Sequence, residues 1–337
     1  MADDNEHSAE LRAFLETTKA SDVETPHKEV VEVKVSMTPV EAAKELWSHK
    51  VIGAPVYDEE RKKYIGFFDM RDLLSTVIAS HKEEEASKKS DNKSGSKDFA
   101  FTKWFDKSPS TAGSGSFTVS YLAARNPFVS LTNDATLMEV CKICADRHCH
   151  RVPIIDKSTG RCVRILSQSA LVKFLVDHLL AESKSATLKK FFDQTLAQAN
   201  FPYKKEVKTA PDTATASEVF ELMDSHRLSG IAVVDHEDGA LVGNTSATDI
   251  KLAVAVDDGA FADLGLNVLS FLSAVRQEDP TKETRYPSSH VKESSTLAHT
   301  FKLLAKTGYH RVFVVDMELK PVGVVSVTDV VEFLAKQ

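Results

Sequence analysis

Four times along the chain, apolar residues at helical spacing give way to a short, continuous apolar run and then to a turn. In one such stretch Val219, Leu222 and Met223 recur at the helical period, and Ile231, Ala232, Val233 and Val234 follow as a β-rich run. Each run closes on an aspartate, in PVYD, PIID, AVVD and FVVD, at Asp58, Asp156, Asp235 and Asp316. Hairpin chemistry follows: Asp156 to Gly160, Asp235 to Gly239 and the Lys320-Pro321 pair suit tight connections. The pattern predicts one structural unit, strand, helix, strand, hairpin, strand and helix, used four times.

Two registers recur with the unit. Thr38, Thr136, Thr215 and Thr296 stand at a constant distance ahead of the four aspartates, and each can cap a helix by accepting a bond from an unpaired backbone N–H. Pro39 follows Thr38, at a position that needs no donor. Glu41, Glu139 and Glu218 lie three residues after their threonines, the reciprocal capping spacing, whereas His299 in the fourth unit predicts a weaker cap. The second register lies at the last strand. In Gly243-x-x-Ser246-x-x-Asp249 and Gly323-x-x-Ser326-x-x-Asp329 a strand ends at serine and a helix begins at Thr248 or Thr328. The first unit reads Gly66-x-x-Asp69-x-x-Asp72, and Ala170 breaks the acid in the second.

The chain has 337 residues, 42% of them hydrophobic, enough to bury the cores of two ordinary domains. The units recur roughly 80 residues apart, with about 18 extra residues between the first two. That surplus lies between Lys82 and Ser116, rich in Lys, Glu, Ser, Asp and Gly around a Phe99 to Phe105 cluster, and reads as a solvated linker. The expected divisions are a flexible N-terminus at 1–10, repeats at 11–82, 121–184, 200–256 and 285–337, a charged linker at 83–120 and a helical connector at 257–284. A net charge of -7 opposes general nucleic-acid binding, which needs a positive face, so any anion site must be local. No apolar run approaches the roughly 18 residues of a membrane span. The opening MADDNEHSAE is unlike a signal peptide, and the expected location is the cytoplasm or the nucleus. Cys141, Cys144, Cys149 and Cys162 all fall in the second unit, and reduced thiols are expected.

The succession of capped helix, VVD-type strand, hairpin, Gly-x-x-Ser-x-x-Asp and helix resembles the cystathionine β-synthase (CBS) domain. Four copies over about residues 11 to 337 resemble the gamma subunit of the AMP-activated protein kinase family. His150-Arg151 in CHRVPIID and His310-Arg311 in YHRVFVVD match the His-Arg pairs of that family's second and fourth repeats. His226-Arg227-Leu228-Ser229 and the distribution of the motif acid are similar too, and VGNTSATDI looks like plant-type subunits. The resemblance implies an α/β (α+β) fold in which repeats one and two, and repeats three and four, form two Bateman modules stacked as a flat disc.

It also implies a nucleotide site. Asp249, Asp329 and Asp72 would accept from ribose hydroxyls, while His150, Arg151, His310, Arg311, Ser246 and Ser326 would meet phosphate. Guanidinium groups bind phosphate in bidentate fashion, and a helix start offers unpaired N–H groups to an anion. Thr136, Thr215, Thr296, Thr248 and Thr328 are further candidates for cleft contact, although capping alone explains the first three. Likewise S-x-x-D is itself a capping signature, which leaves helix capping as the alternative reading of Ser246/Asp249 and Ser326/Asp329. Ile52 and Ser169 replace cations of the family, and Asp69 would repel a phosphate, so the working sites are expected at Asp249 and Asp329.

Cys141-x-x-Cys144 with His148, Cys149 and His150 offers a competing metal cluster, but Cys141 and Cys144 fit a buried helix face, and no metal or cofactor is expected. Cys149 could be a redox-sensitive thiol. Nucleophile-elbow and phosphate-loop glycine motifs are lacking, and the chain is expected not to be an enzyme. By resemblance it is expected to be a regulatory subunit of an energy-sensing Ser/Thr kinase. AMP, ADP and ATP would compete for its clefts, and its partners would be a catalytic alpha-type and a scaffolding beta-type subunit. The alternatives are a stand-alone CBS adaptor for adenosyl ligands, regulating an enzyme or transporter, and a structural interaction protein with degenerate pockets.

Overall fold

The computed structural model describes residues 2–25, 27, 29–69, 71, 72, 74, 78, 118–181, 185–253, 264–277 and 289–336. Four three-stranded sheets carry the repeats: β1 (Val33–Lys34), β2 (Gly53–Asp58) and β3 (Lys63–Asp69); β4 (Leu131–Thr132), β5 (Arg151–Ile155) and β6 (Cys162–Ser167); β7 (Thr209–Pro211), β8 (Gly230–Val234) and β9 (Leu241–Ser246); β10 (His290–Val291), β11 (Arg311–Val315) and β12 (Pro321–Ser326). In every sheet the middle strand runs parallel to the first and antiparallel to the third, and its register slips next to the closing aspartate.

Those aspartates have a shared local task. Asp58 accepts from the N–H groups of Glu60 and Arg61, Asp156 from Ser158 and Thr159, Asp235 from Glu237 and Asp238, and Asp316 from Glu318 and Lys320. Each carboxylate thus folds the chain into its hairpin by mimicking a turn carbonyl.

The opening helices are Pro39–Ser48, Leu137–Arg147, Ala216–Ser225 and Leu297–Thr307. Thr38, Thr136 and Thr215 close reciprocal caps with Glu41, Glu139 and Glu218, while Thr296 accepts from His299 N–H at 3.1 Å without a returned bond. The closing helices include Gln168–Leu175 in repeat two and Val327–Ala335 in repeat four, and a 3-10 helix, Ala247–Ala253, takes that place in repeat three.

Sheets join the repeats within each module. In the first, Cys162 N–H donates to the Tyr64 hydroxyl at 3.0 Å, and Arg161 pairs with Glu32. In the second, Ala232, Leu241, Phe313 and Val315 form a small core between the sheets, and Leu241 N–H donates to the Leu319 carbonyl at 2.9 Å. Helices join the modules to each other. One core combines repeats two and four, with Leu137, Cys141 and Leu171 beside Leu297, Val330 and Leu334; a second combines repeats one and three, with Ala42, Leu46 and Leu74 beside Val219, Phe220 and Phe271. The cyclic order is therefore one, two, four, three.

The start of the chain departs from expectation. Residues 2–17 form a helix rather than a frayed end, with the His7 ring stacked on Phe191 and Ser185 donating to Glu10 at 2.7 Å. Leu11, Leu15, Ala20 and Val23 lie in the core of repeats two and four, not with repeat one. Their apolar spacing matches a groove that repeat one does not own. Of the linker expected at 83–120, residues 83–117 lie outside the described residues, as do 257–263 and 278–284 of the connector; a helix, Val268–Gln277, covers most of the rest.

Candidate functional site

The site begins where the opening helix of each repeat yields to its middle strand. In repeats two and four that point carries Arg151 and Arg311; in repeats one and three it carries Gly53 and Gly230. Each arginine reaches across its module onto the glycine of its neighbour. Arg311 donates through Nη1 to the Ser229 carbonyl at 2.8 Å and through Nη2 to the Ser229 hydroxyl. A β-carbon on Gly230 would fall 1.5 Å from that Nη1, so glycine leaves the room the guanidinium fills. A β-carbon on Gly53 would stand 3.0 Å from Arg151 Nη1.

The two arginines face different surroundings. Burial lowers the Arg311 guanidinium to about 10, against the pull of Asp249 and Asp329, so it stays charged at neutral pH. Arg151 is also lowered by burial, and Asp69 opposes that effect from 3.6 Å. The His150 imidazole is pushed below its usual range by burial and by Arg71. Its Nδ1 lies 3.4 Å from Gln168 Oε1. His310 is half-buried, and its carbonyl accepts from Val327 N–H at 3.0 Å, as the His150 carbonyl does from Gln168 N–H at 3.1 Å.

The acids occupy the caps of the closing helices. Asp329 Oδ2 accepts from both N–H and hydroxyl of Ser326 at 2.7 Å, and Ser326 caps the Asp329 N–H in return. Burial raises the Asp329 carboxyl, while its bonds from Ser326 oppose the rise. Asp249 Oδ2 accepts from Ser246 N–H at 2.8 Å and from Thr245 Oγ1 at 3.2 Å, and the Ser246 and Thr248 hydroxyls meet at 2.7 Å. Both aspartates therefore do serve at helix starts here, and both pull electrostatically on Arg311.

Asp72 is differently placed. It is 4% exposed, and its Oδ2 accepts from Asp69 N–H at 2.9 Å and from Asn126 Nδ2 at 3.0 Å. Burial and the neighbouring Asp69 charge push it up to about 7. Asn126 also pairs its backbone with Phe67, and a β-carbon on Gly66 would collide with the Ala123 carbonyl. The chain itself thus covers the carboxylate that resemblance would give to ribose.

Thr136, Thr215 and Thr296 are committed elsewhere. Each caps its helix, and the next N–H donates to a covering segment: Leu137 to the Thr18 carbonyl at 3.0 Å, Ala216 to Leu266 at 2.9 Å and Leu297 to Gln194 at 2.9 Å. Capping accounts for all three hydroxyls. Thr328 instead donates to Gln168 Oε1 at 2.7 Å and ties repeat four to repeat two beside His150.

The sequence pattern did not single out Arg71, Gln168 or Asn126. Arg71 precedes the motif acid, in register with Ser169, Thr248 and Thr328. It donates through its backbone N–H to Asp69 at 2.8 Å, pairs its guanidinium with the same carboxylate at 3.3 Å, and its charge acts on His150, Arg151 and Arg311. Aligning the four units at that column would have found it.

The cysteines are free thiols, with Cys141 and Cys144 inside the core of repeats two and four. Among the described residues, the carboxylate and imidazole groups close enough to share a cation are Asp212, Asp235 and His236, not that cluster. No helix among the described residues is long and apolar enough to cross a membrane.

A sequence model of the CBS domain matches residues 20–79, 119–177, 203–256 and 284–336. The protein sds23 of Aspergillus clavatus is 30% identical over 201 residues, covering 59% of this chain. The chain spans only 37% of that relative's length. The SNF1-related protein kinase regulatory subunit gamma-1 of Arabidopsis thaliana is 23% identical over 343 residues, covering 91% of this chain and 79% of its own. A solved protein of Methanocaldococcus jannaschii, proposed as an archaeal homologue of γ-AMPK, shares the fold over 94% of this chain and 99% of its own, with TM-score 0.65 at 15% identity.

Proposed function

From a chain that belongs to the CBS-domain family, with four copies of that domain, we propose a non-catalytic sensor of adenine nucleotides that regulates a Ser/Thr protein kinase. The observation that carries this reading is Arg311. Its buried charge crosses the module to Gly230 and feels the pull of both Asp249 and Asp329. A phosphate there would exchange the neutral Ser229 acceptors for a charged partner, and a sugar diol could take the acid from its cap. The similarity to a plant kinase gamma subunit over most of both chains supports the kinase assignment.

AMP, ADP and ATP would compete at the second module. Regulation follows only if one of them favours one arrangement of the repeats over another, since equal affinity shifts nothing. A catalytic alpha-type subunit and a scaffolding beta-type subunit would be the partners, in the cytoplasm or nucleus. Calorimetric titration of the full chain with AMP, ADP, ATP, adenosine and S-adenosylmethionine tests the sensor. At a hundredfold excess over Kd, a ligand should add about 2.7 kcal/mol to stability. Absence of heat and of any melting shift with all five would refute it.

A second reading, a CBS protein outside a kinase complex, takes account of the likeness to sds23, whose name carries no kinase role. Stoichiometric co-purification with a kinase and a scaffold supports the first reading; a CBS-only assembly that binds S-adenosylmethionine supports the second.

A further inference from the structure

Two modules built to one plan hold their arginines on different acceptors. Arg311 rests on a carbonyl and a hydroxyl of Ser229, both neutral. Arg151 rests on a carboxylate. Asp69, 5% exposed, receives the Arg151 Nη1 at 3.6 Å, the Arg71 Nη2 at 3.3 Å and the Arg71 backbone N–H at 2.8 Å. The other three repeats place Ser167, Ser246 and Ser326 at this position, each starting a closing helix. One substitution in the repeat therefore turns a helix-capping hydroxyl into an anion gripped by two guanidinium groups.

We propose that Asp69 is a built-in counter-anion: its carboxylate stands where a ligand phosphate would stand on Arg71 and Arg151, and the first module therefore refuses phosphate-bearing ligands. This inference rests on the nucleotide-sensing reading and narrows it to one module. Three physical points converge on it. Two guanidinium donors and a backbone N–H facing one buried point make an oxyanion site by their chemistry. A phosphate entering that site would meet a second negative charge at contact distance, which costs more inside a partly dry cleft than in water. Asp72 beside it is covered by Asn126, so the sugar end of the same cleft is blocked by the chain as well. By contrast, Arg311 has no charge to surrender when a phosphate arrives, because its present acceptors are neutral.

The test compares the full wild-type chain with Asp69→Ser, which restores the residue of the other three repeats, and with Asp69→Asn, which keeps the shape and removes the charge. AMP, adenosine and inorganic pyrophosphate are titrated by calorimetry, with melting curves to confirm that each variant is folded. Both variants should gain affinity for pyrophosphate of about tenfold or more. AMP should gain only what its phosphate contributes, with adenosine unchanged, because Asn126 still covers Asp72 in both variants. Identical pyrophosphate and AMP binding in all three proteins would overturn the proposal, as would an equal gain for adenosine. Pyrophosphate needs no adenine pocket and separates the two readings: wild type that ignores every adenine ligand sinks the sensor, yet a variant that gains pyrophosphate still upholds the role of Asp69.

Discussion

The Arg311 guanidinium fills the space that a side chain on Gly230 would need, with Nη1 1.5 Å from the β-carbon position. Gly230→Ala must therefore displace the arginine or strain β8, because the Thr245 carbonyl stands 2.9 Å away on the same side. The expected cost in stability is about 1–3 kcal/mol, read by urea unfolding. AMP binding should fall at least about tenfold while adenosine binding persists. Unchanged AMP affinity in a folded variant would remove Arg311 from the site.

Asp249→Asn and Asp329→Asn separate sugar binding from capping. An amide oxygen can still accept from Ser246 or Ser326, so each helix start should survive, with a loss of about 1 kcal/mol or less. A diol needs two acceptor oxygens, and the amide supplies one. Each variant should lose one nucleotide site in calorimetric stoichiometry. Retention of every site by both would leave these aspartates as caps alone.

Gln168 and Thr328 tie the modules, and their bond should register as coupling. Gln168 is 2% exposed and also donates to the Cys149 carbonyl at 3.2 Å, so Gln168→Ala leaves buried polar groups unmet, at about 1–3 kcal/mol. Combined with Thr328→Val, the losses should fall short of additive by roughly 0.5 kcal/mol or more in a double-mutant cycle. Strict additivity would show that the 2.7 Å contact contributes nothing across the interface.

Asp72 gives the fold a pH dependence of definite sign. Its carboxyl is raised from 3.8 to about 7 in the folded chain, so the folded state holds a proton that the unfolded chain releases. The resulting stabilisation is complete below the unfolded value and fades as pH rises through the folded one. Asp72→Asn imitates the protonated side chain. Relative to wild type, the variant should gain roughly 1–3 kcal/mol between about pH 5 and pH 8. A difference that stays flat or moves the other way would contradict this burial-driven shift.

Local chemistry was legible in the sequence. The capping threonines, the glutamates that answer Thr38, Thr136 and Thr215, and the missing answer at His299 all take the expected bonds, because they involve neighbours three residues apart. What escaped notice depends on distant packing. Arg71 was hidden behind its unusual neighbour Asp69, and nothing in the local pattern near Asn126 signals that its amide reaches Asp72 from the other side of a long insertion. The placement of Leu11 and Leu15 is of the same kind: helical spacing reveals an apolar face but not which groove receives it.

That placement has a consequence for taking the molecule apart. The leading helix leapfrogs the repeat it precedes and roofs the even-numbered pair, while each helical core borrows from both halves of the chain. The molecule is woven rather than beaded. Severing the backbone between residues 83 and 117 would yield two fragments that still clasp one another, and trimming the first 23 residues would unroof repeats two and four while sparing the repeat next door.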